Sequence, residues 1–172
     1  MATTWNLDPS HSEVQFKVKH MVISTVSGEF QIFNANIESE NEDFNHAKIN
    51  FTADVNSINT KNKDRDNHLK SEDFFAAAQH PDIKFTSTSG IENGKIAGNL
   101  EIKGVSKPVV LDAEFGGIIN DPFGFVRAGF EISGKINRKD FGLSWSQTTE
   151  AGGLVVSDEV KLVANVEFTK AQ

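Results

Sequence analysis

Two residue types are missing from this chain of 172 residues: it contains no cysteine and no tyrosine. Without cysteine there is no disulfide, no thiolate nucleophile and no thiolate metal site. Cations are in the minority too: 17 Lys and Arg stand against 24 Asp and Glu, a net charge of −7. That balance argues against nucleic acid as a partner, because neutralising phosphates demands grouped Lys and Arg. It also disfavours adsorption to anionic membranes. No apolar run approaches the ~20 residues of a membrane-spanning helix, so stable membrane insertion is not expected. The first residues, Met1 to Pro9, lack the basic and apolar regions of a secretory signal. As written, the expected compartment is the cytoplasm, or the periplasm if a signal has been removed.

What the chain has in excess is phenylalanine, 14 residues. Phenylalanine supplies large apolar surface with no hydroxyl to satisfy, which suits a core or an apolar cavity equally well. The length suits one domain spanning 1–172, large enough to bury roughly 70% of its unfolded surface.

The dominant pattern has period two. Val14, Phe16 and Val18 alternate with Glu13, Gln15, Lys17 and Lys19; Ile49, Phe51, Ala53 and Val55 alternate with Lys48, Asn50, Thr52 and Asp54. Further series run through Ile96–Ile102, Val109–Phe115, Ala128–Ile136 and Val160–Phe168. Alternate side chains of a strand point to opposite faces, so each segment has one apolar and one wet face. Between residues 28 and 37 the apolar phase switches after Ile32, which predicts a bulge near Ile32-Phe33. Ile83, Phe85 and Ser87 suggest a short strand. The total is about eight amphipathic strands. Glu92-Asn93-Gly94 reads as a tight hairpin turn and Lys103-Gly104 as another break; Gly116-Gly117 and Asp121-Pro122 bound a longer loop, and Ala151-Gly152-Gly153 interrupts the chain before the last strand. One stretch, about 62–80, reads as helical, with Ser71 as an N-cap ahead of Glu72 and Asp73, and Pro81 as its stop.

One-sided antiparallel strands bury their apolar faces by stacking as a sandwich or closing as a barrel. The inward set mixes large residues with small ones, such as Ala53, Gly98, Ala113 and Ala164. Small inward residues leave room for a ligand inside a barrel; they are equally compatible with size alternation in a filled core.

Several phrases together resemble one family. Trp5-Asn6-Leu7-Asp8-Pro9-Ser10-His11-Ser12 runs into Val14-Gln15-Phe16-Lys17-Val18-Lys19-His20 and then Gly28-Glu29-Phe30. Arg65-Asp66-Asn67-His68-Leu69-Lys70-Ser71-Glu72-Asp73-Phe74-Phe75 and His80-Pro81-Asp82-Ile83-Lys84-Phe85 follow. Asn137-Arg138-Lys139-Asp140-Phe141-Gly142-Leu143 and Asp158-Glu159-Val160-Lys161-Leu162 come last. In wording and order, from end to end, this is similar to the YceI-like, polyisoprenoid-binding family. The resemblance implies a lipocalin-like, eight-stranded antiparallel β-barrel with a short helical segment, holding a polyisoprenoid or an isoprenoid quinone in an elongated cavity for sequestration or transport. It also implies homodimers. Apart from that apolar small-molecule ligand, no cofactor and no metal is expected.

On this reading the tail-binding candidates are the inward set: Phe16 and Val18; Phe30; Phe51 and Ala53; Phe85; Gly98 and Leu100; Leu111 and Ala113; Phe130 and Ile132; Leu162 and Ala164. For each, plain core is the competing reading. His20 shares the inward phase of Phe16 and Val18 and is a candidate for a ligand's polar head, with His11 a weaker one. Arg65 and His68, in the densest polar cluster, could accept a head group or merely pin the helical segment to the barrel. Catalysis finds little support. Ser10-His11-Ser12 on an extended chain would face apart, whereas a nucleophile needs its base within hydrogen-bond reach, and the five histidines show no metal-ligand spacing. Two alternatives to a lipid carrier stay open: a filled barrel serving as a stress or protein-interaction module, and a small enzyme acting on a lipid-like substrate.

Overall fold

A computed structural model of the chain describes residues 3–20, 23–40, 43–143 and 156–171. Eleven strand segments form one antiparallel sheet: β1 (Thr3–Leu7), β2 (Glu13–His20), β3 (Ser24–Phe30), β4 (Phe33–Ser39), β5 (Lys48–Asp54), β6 (Ile58–Asn59), β7 (Asp82–Ser87), β8 (Lys95–Ile102), β9 (Val105–Asn120), β10 (Val126–Asn137) and β11 (Val156–Lys170). β1 pairs with β4 on one side and with the end of β11 on the other, which closes the sheet on itself. β1 and β2 lie in line along β11, at Leu7↔Phe168 and Asn165↔Glu13. β3 and β4 lie in line along β2 and β1, and β6 and β5 along β3 and β4. The six short segments are therefore three long strands, each broken once. With β7 to β11 they make a closed eight-stranded antiparallel barrel in which every strand pairs with its neighbours in sequence.

Each break has a local cause. Asp8 caps a single 3-10 turn at Pro9–His11 by accepting the Ser10 N–H (3.0 Å). Asp54 does the same for the turn at Val55–Ser57. Opposite that turn, the backbone at Gln31-Ile32 leaves the ladder, and the Ile32 N–H donates to the Ser57 hydroxyl (3.0 Å). The phase switch near Ile32 is thus a strand break and not a bulge inside one strand. Register shifts occur elsewhere: in β9–β10 at Gly129/Phe130, opposite Phe115 and Gly117, and in β2–β11 between Val156 and Val160. Gly116-Gly117, expected to bound a loop, lies within β9. Glu92–Lys95 is the expected tight hairpin, with Asn93 and Gly94 both at positive φ. Ala151-Gly152-Gly153 lies outside the described residues.

The helical segment is shorter than expected. α1 covers Lys63–Lys70. Asn62 is its N-cap, accepting the Arg65 N–H (3.0 Å), and Ser71 is its C-cap, donating its hydroxyl to the His68 carbonyl (2.5 Å). Residues 71–80 continue as turns, with Ala76 at φ 48. The run Phe74 to Ala78 favours helix on propensity, but Phe74, Ala76 and Ala77 are buried, and tertiary burial outweighs propensity.

The connections β4–β5, β7–β8 and β9–β10 gather at one end of the barrel, and α1 with the β2–β3 and β8–β9 connections at the other. Trp5, Phe44, Phe115, Phe130 and Phe168 form an aromatic cluster at the first end, with ring centroids 5.0–5.9 Å apart. Close packing in the wall depends on β8: a Cβ on Gly98 would stand 2.5 Å from the Phe85 ring and 2.6 Å from the Thr86 carbonyl oxygen.

A polar latch ties the chain's two ends to the β9–β10 hairpin. Arg127 donates to Asp121 (2.7 Å) and to Asp8 (2.8 Å), with Glu167 3.8 Å away. Hydrogen bonds from Ser10, His11 and Arg127 hold the Asp8 carboxyl well below its ordinary range. Arg127, then the Phe125 N–H, does the same for Asp121. Carboxyls with depressed pKa values contribute stability above the ordinary value of ~3.9 and lose it as pH falls through the folded-state values. Arg127→Met is expected to melt below the parent protein at neutral pH, with the gap narrowing as pH drops through the carboxylate range; paired thermal melts across pH measure it, and a constant gap would contradict the latch. Gly98→Ala is expected to lose about 1–3 kcal/mol to overpacking. Gly129→Ala, whose Cβ would meet nothing within 4 Å, should stay within ~0.5 kcal/mol; urea titrations of both variants against the parent protein measure the difference.

Candidate functional site

Alternation puts one face of every strand inside the ring, and these faces leave a cavity of about 220 Å³. Its wall presents apolar surface. β2 and β11 contribute Phe16, Val18, Leu162 and Ala164, and β10 contributes Phe130 and Ile132. Phe30, Phe51, Ala53, Phe85, Leu100 and Leu111 complete the set expected from the strand pattern. Two expected members are absent. Gly98 is in the wall, but its place is taken by the Phe85 ring packed over it, so it shapes the cavity through Phe85. Ala113 lies beside a separate depression with Asp112 and Glu131. Its phase is inward, yet Phe44, Phe115 and Phe130 fill the barrel towards that end.

The structure adds lining residues from outside the strands. Leu69 lies in the last turn of α1, and Phe74 and Phe75 follow it in the turns; all three face the cavity. The Phe30 and Phe75 rings meet edge to face at 6.3 Å. The apolar pair Phe74-Phe75 in a polar stretch is their signal in the sequence, hidden by a helical reading of 62–80 that runs past the end of α1 at Lys70. Ile91, in the β7–β8 connection, and Leu143, after the turn at Arg138–Phe141, also line the wall.

The polar candidates stand elsewhere. Arg65 donates through Nε to the Thr60 hydroxyl (2.8 Å) and through Nη2 to the Thr60 carbonyl (2.6 Å), while Asp66 accepts from the Thr60 N–H and hydroxyl. That network pins α1 to the end of β6. His68 pairs with Asp73 (2.9 Å) and lies edge-on to Phe74. His11 is exposed, 2.9 Å from Asp8 and 3.5 Å from Glu167. None of these three lines the cavity. The side chain of His20 lies outside the described residues.

Among the described residues, Arg138 is the charged residue that reaches the wall. It is 2% exposed. Its Nε donates to the Ser157 carbonyl (3.0 Å) and its Nη1 to the Leu143 carbonyl (2.5 Å), with Asp158 at 3.7 Å. Burial lowers its pKa, and Asp158 opposes the shift. With the wall apolar, it is the methylene stem that faces the cavity while the guanidinium clamps the chain after β10 to the start of β11.

The cluster at Asp8 corrects one expectation. Residues 9–11 form a 3-10 turn and are not extended, so Ser10 and His11 do come together (3.2 Å). The Ser10 hydroxyl, however, donates to Asp8 (2.7 Å), and both side chains serve the cap. Among the described residues, Asp8, His11 and Glu167 are the group whose donor atoms could share an ion. Arg127 already supplies the positive charge there, 2.8 Å from the same Asp8 oxygen that faces His11.

The ring topology recurs in known proteins. A solved Campylobacter jejuni YCEI protein is 38% identical, matches with a TM-score of 0.75 and covers 90% of each chain. BcnA of Burkholderia cenocepacia shares the fold at 21% identity (TM-score 0.77; 94% of this chain, 98% of that one). So does a polyisoprenoid binding domain from Saccharophagus degradans implicated in plant cell wall breakdown, at 16% identity (TM-score 0.74; 97% and 98%). UPF0312 protein SA2479 of Staphylococcus aureus (strain N315) is 39% identical over 97% of this chain and 98% of its own length. The model of the YceI-like domain matches residues 5–168, and the chain belongs to that family.

Proposed function

We propose that this protein binds the apolar chain of a lipid inside its barrel and carries or sequesters it. The observation that carries the reading is the cavity itself: apolar-walled, enclosed by the ring and bounded at one end by an aromatic cluster. The name of the Saccharophagus degradans neighbour, a polyisoprenoid binding domain, points the same way. A polyisoprenoid or an isoprenoid quinone suits such a wall, since each supplies a long hydrocarbon tail and asks for no polar partner along its length.

Magnitudes favour tail over head. Each CH₂ removed from water is worth ~0.8 kcal/mol, so a few isoprene units supply the gross energy of a tight complex, less the losses of ordering. A cavity of about 220 Å³ exceeds the ~150 Å³ that admits benzene but is below the ~300–1,000 Å³ of common ligand pockets. A long tail therefore needs side chains to swing aside. Phe51 and Phe75 are the lining rings that are only half-buried, and we assign that movement to them. The head group stays at the α1 end.

No catalytic step is needed in this reading. A protein-interaction module with a filled barrel would have no use for a hydrocarbon-walled cavity, whose upkeep costs stability.

Native mass spectrometry of the purified protein, followed by organic extraction, tests the proposal. A copurifying species with isoprenoid mass spacing is expected. A protein that carries nothing and also ignores added polyprenyl phosphates and quinones would refute it. Ala164→Phe, which places a ring in the cavity, is expected to weaken binding of the same lipid at least tenfold while the barrel stays folded, as followed by tryptophan fluorescence titration and far-UV circular dichroism.

A further inference from the structure

We infer that Phe44 limits the length of apolar chain the barrel accepts; this rests on the carrier reading above. Phe44 belongs to no strand. It lies in the connection between β4 and β5, and yet its exposure is 0%. Its ring packs edge-on against Phe130 (5.0 Å, 85°) and Phe115 (5.3 Å), and tilted on Trp5 (5.5 Å). Phe130 and Phe168 line the cavity at this end, so Phe44 stands immediately behind the end wall and backs it.

The backbone is arranged to hold this ring in place. Phe44 has φ 61, a left-handed conformation that a bulky residue rarely adopts. Its carbonyl accepts the N–H groups of Ile91 (3.0 Å) and Ala47 (3.2 Å). Asn45 donates its N–H to Asp43 (3.1 Å). Gly90 lies so close beneath this loop that a Cβ there would collide with the Asn45 carbonyl. A strained conformation persists when its surroundings over-determine it, and such residues concentrate where ligands are clamped. Strand side chains set the bore of the barrel. A ring delivered from an end connection sets its depth. The end wall offers hydrocarbon only, so it is the non-polar terminus of a bound chain that meets it, with the head towards α1.

The test is a homologous series of straight-chain alcohols, from octanol to eicosanol, titrated against the intact protein, Phe44→Ala and Phe44→Leu. Affinity for the parent protein is expected to rise about fourfold per methylene until the chain reaches the end wall, and then to stop rising. In Phe44→Ala the rise continues past that point, so the first methylene without benefit to the parent gains about fourfold in the variant. Phe44→Leu, which keeps an apolar plug and is the safer fold, shows a smaller displacement in the same direction. Thermal melts and far-UV circular dichroism establish that each variant is folded. An identical break point in the parent and the folded variants overturns the role of Phe44 while leaving lipid binding intact. Failure of the parent protein to bind any member of the series, or any isoprenoid lipid, overturns the carrier reading and this inference with it.

Discussion

β1 hydrogen-bonds to β4 on one side and to the end of β11 on the other, and that double pairing turns a sheet into a ring. Closure removes the free strand edges that an open sheet must protect, and it gives the alternation of side chains a single inside. Every second residue of every strand then points at the same axis. The interior composition is fixed strand by strand, and the cavity is what remains when these side chains fail to fill the ring. The three broken strands belong to the same constraint. Long strands that run the height of a barrel must bend, and here they bend at capped 3-10 turns after Asp8 and Asp54 and at Gln31-Ile32, where Ser57 satisfies the freed Ile32 N–H.

The two ends of the ring are closed by different chemistry. At the β4–β5 end, aromatic rings from strands and from one loop interlock. At the α1 end, hydrogen bonds from Arg65 and Arg138 to backbone carbonyls anchor the covering segments, and Leu69, Phe74, Phe75 and Leu143 supply the hydrocarbon. Within that interlock Phe44 is fully buried, while Phe115 keeps an exposed edge.

Much of this was legible in the sequence, because period two is a direct imprint of a half-buried strand. Phe16, Val18, Leu162 and Ala164 face the cavity for the reason their spacing implies. The illegible parts arise where one residue's place depends on another far away in sequence. Gly98 looks like a small lining residue, but only the fold shows Phe85 lying across it. Ala113 has the right phase, but Phe44 from a distant loop occupies the neighbouring interior. Ser71 has the composition of an N-cap and serves as a C-cap, because the apolar residues after it are drawn into the barrel mouth and cannot continue a helix. Periodicity is silent on Phe44, a single aromatic in a polar loop. Arg65 and His68 form a dense polar cluster in the chain, but their partners are Thr60 and Asp73, and the cluster closes on itself.

The cavity has an energetic consequence of its own. At ~24 cal/mol per Å³, a cavity of about 220 Å³ costs about 5 kcal/mol relative to a filled core, comparable with the whole net stability of a small domain, ~5–15 kcal/mol. Substituting larger residues at Ala53 or Ala164 is a short mutational route to a tighter core, and stabilising substitutions of this kind are easy to find in natural proteins. A barrel that keeps those alanines beside several phenylalanines retains interior space at a standing cost. Filling that space with hydrocarbon recovers the lost contacts, so a bound chain and the barrel stabilise one another. The same ring closure, capped bends and aromatic cluster that define the fold thereby define the space inside it: an apolar-walled cavity bounded at one end by packed rings.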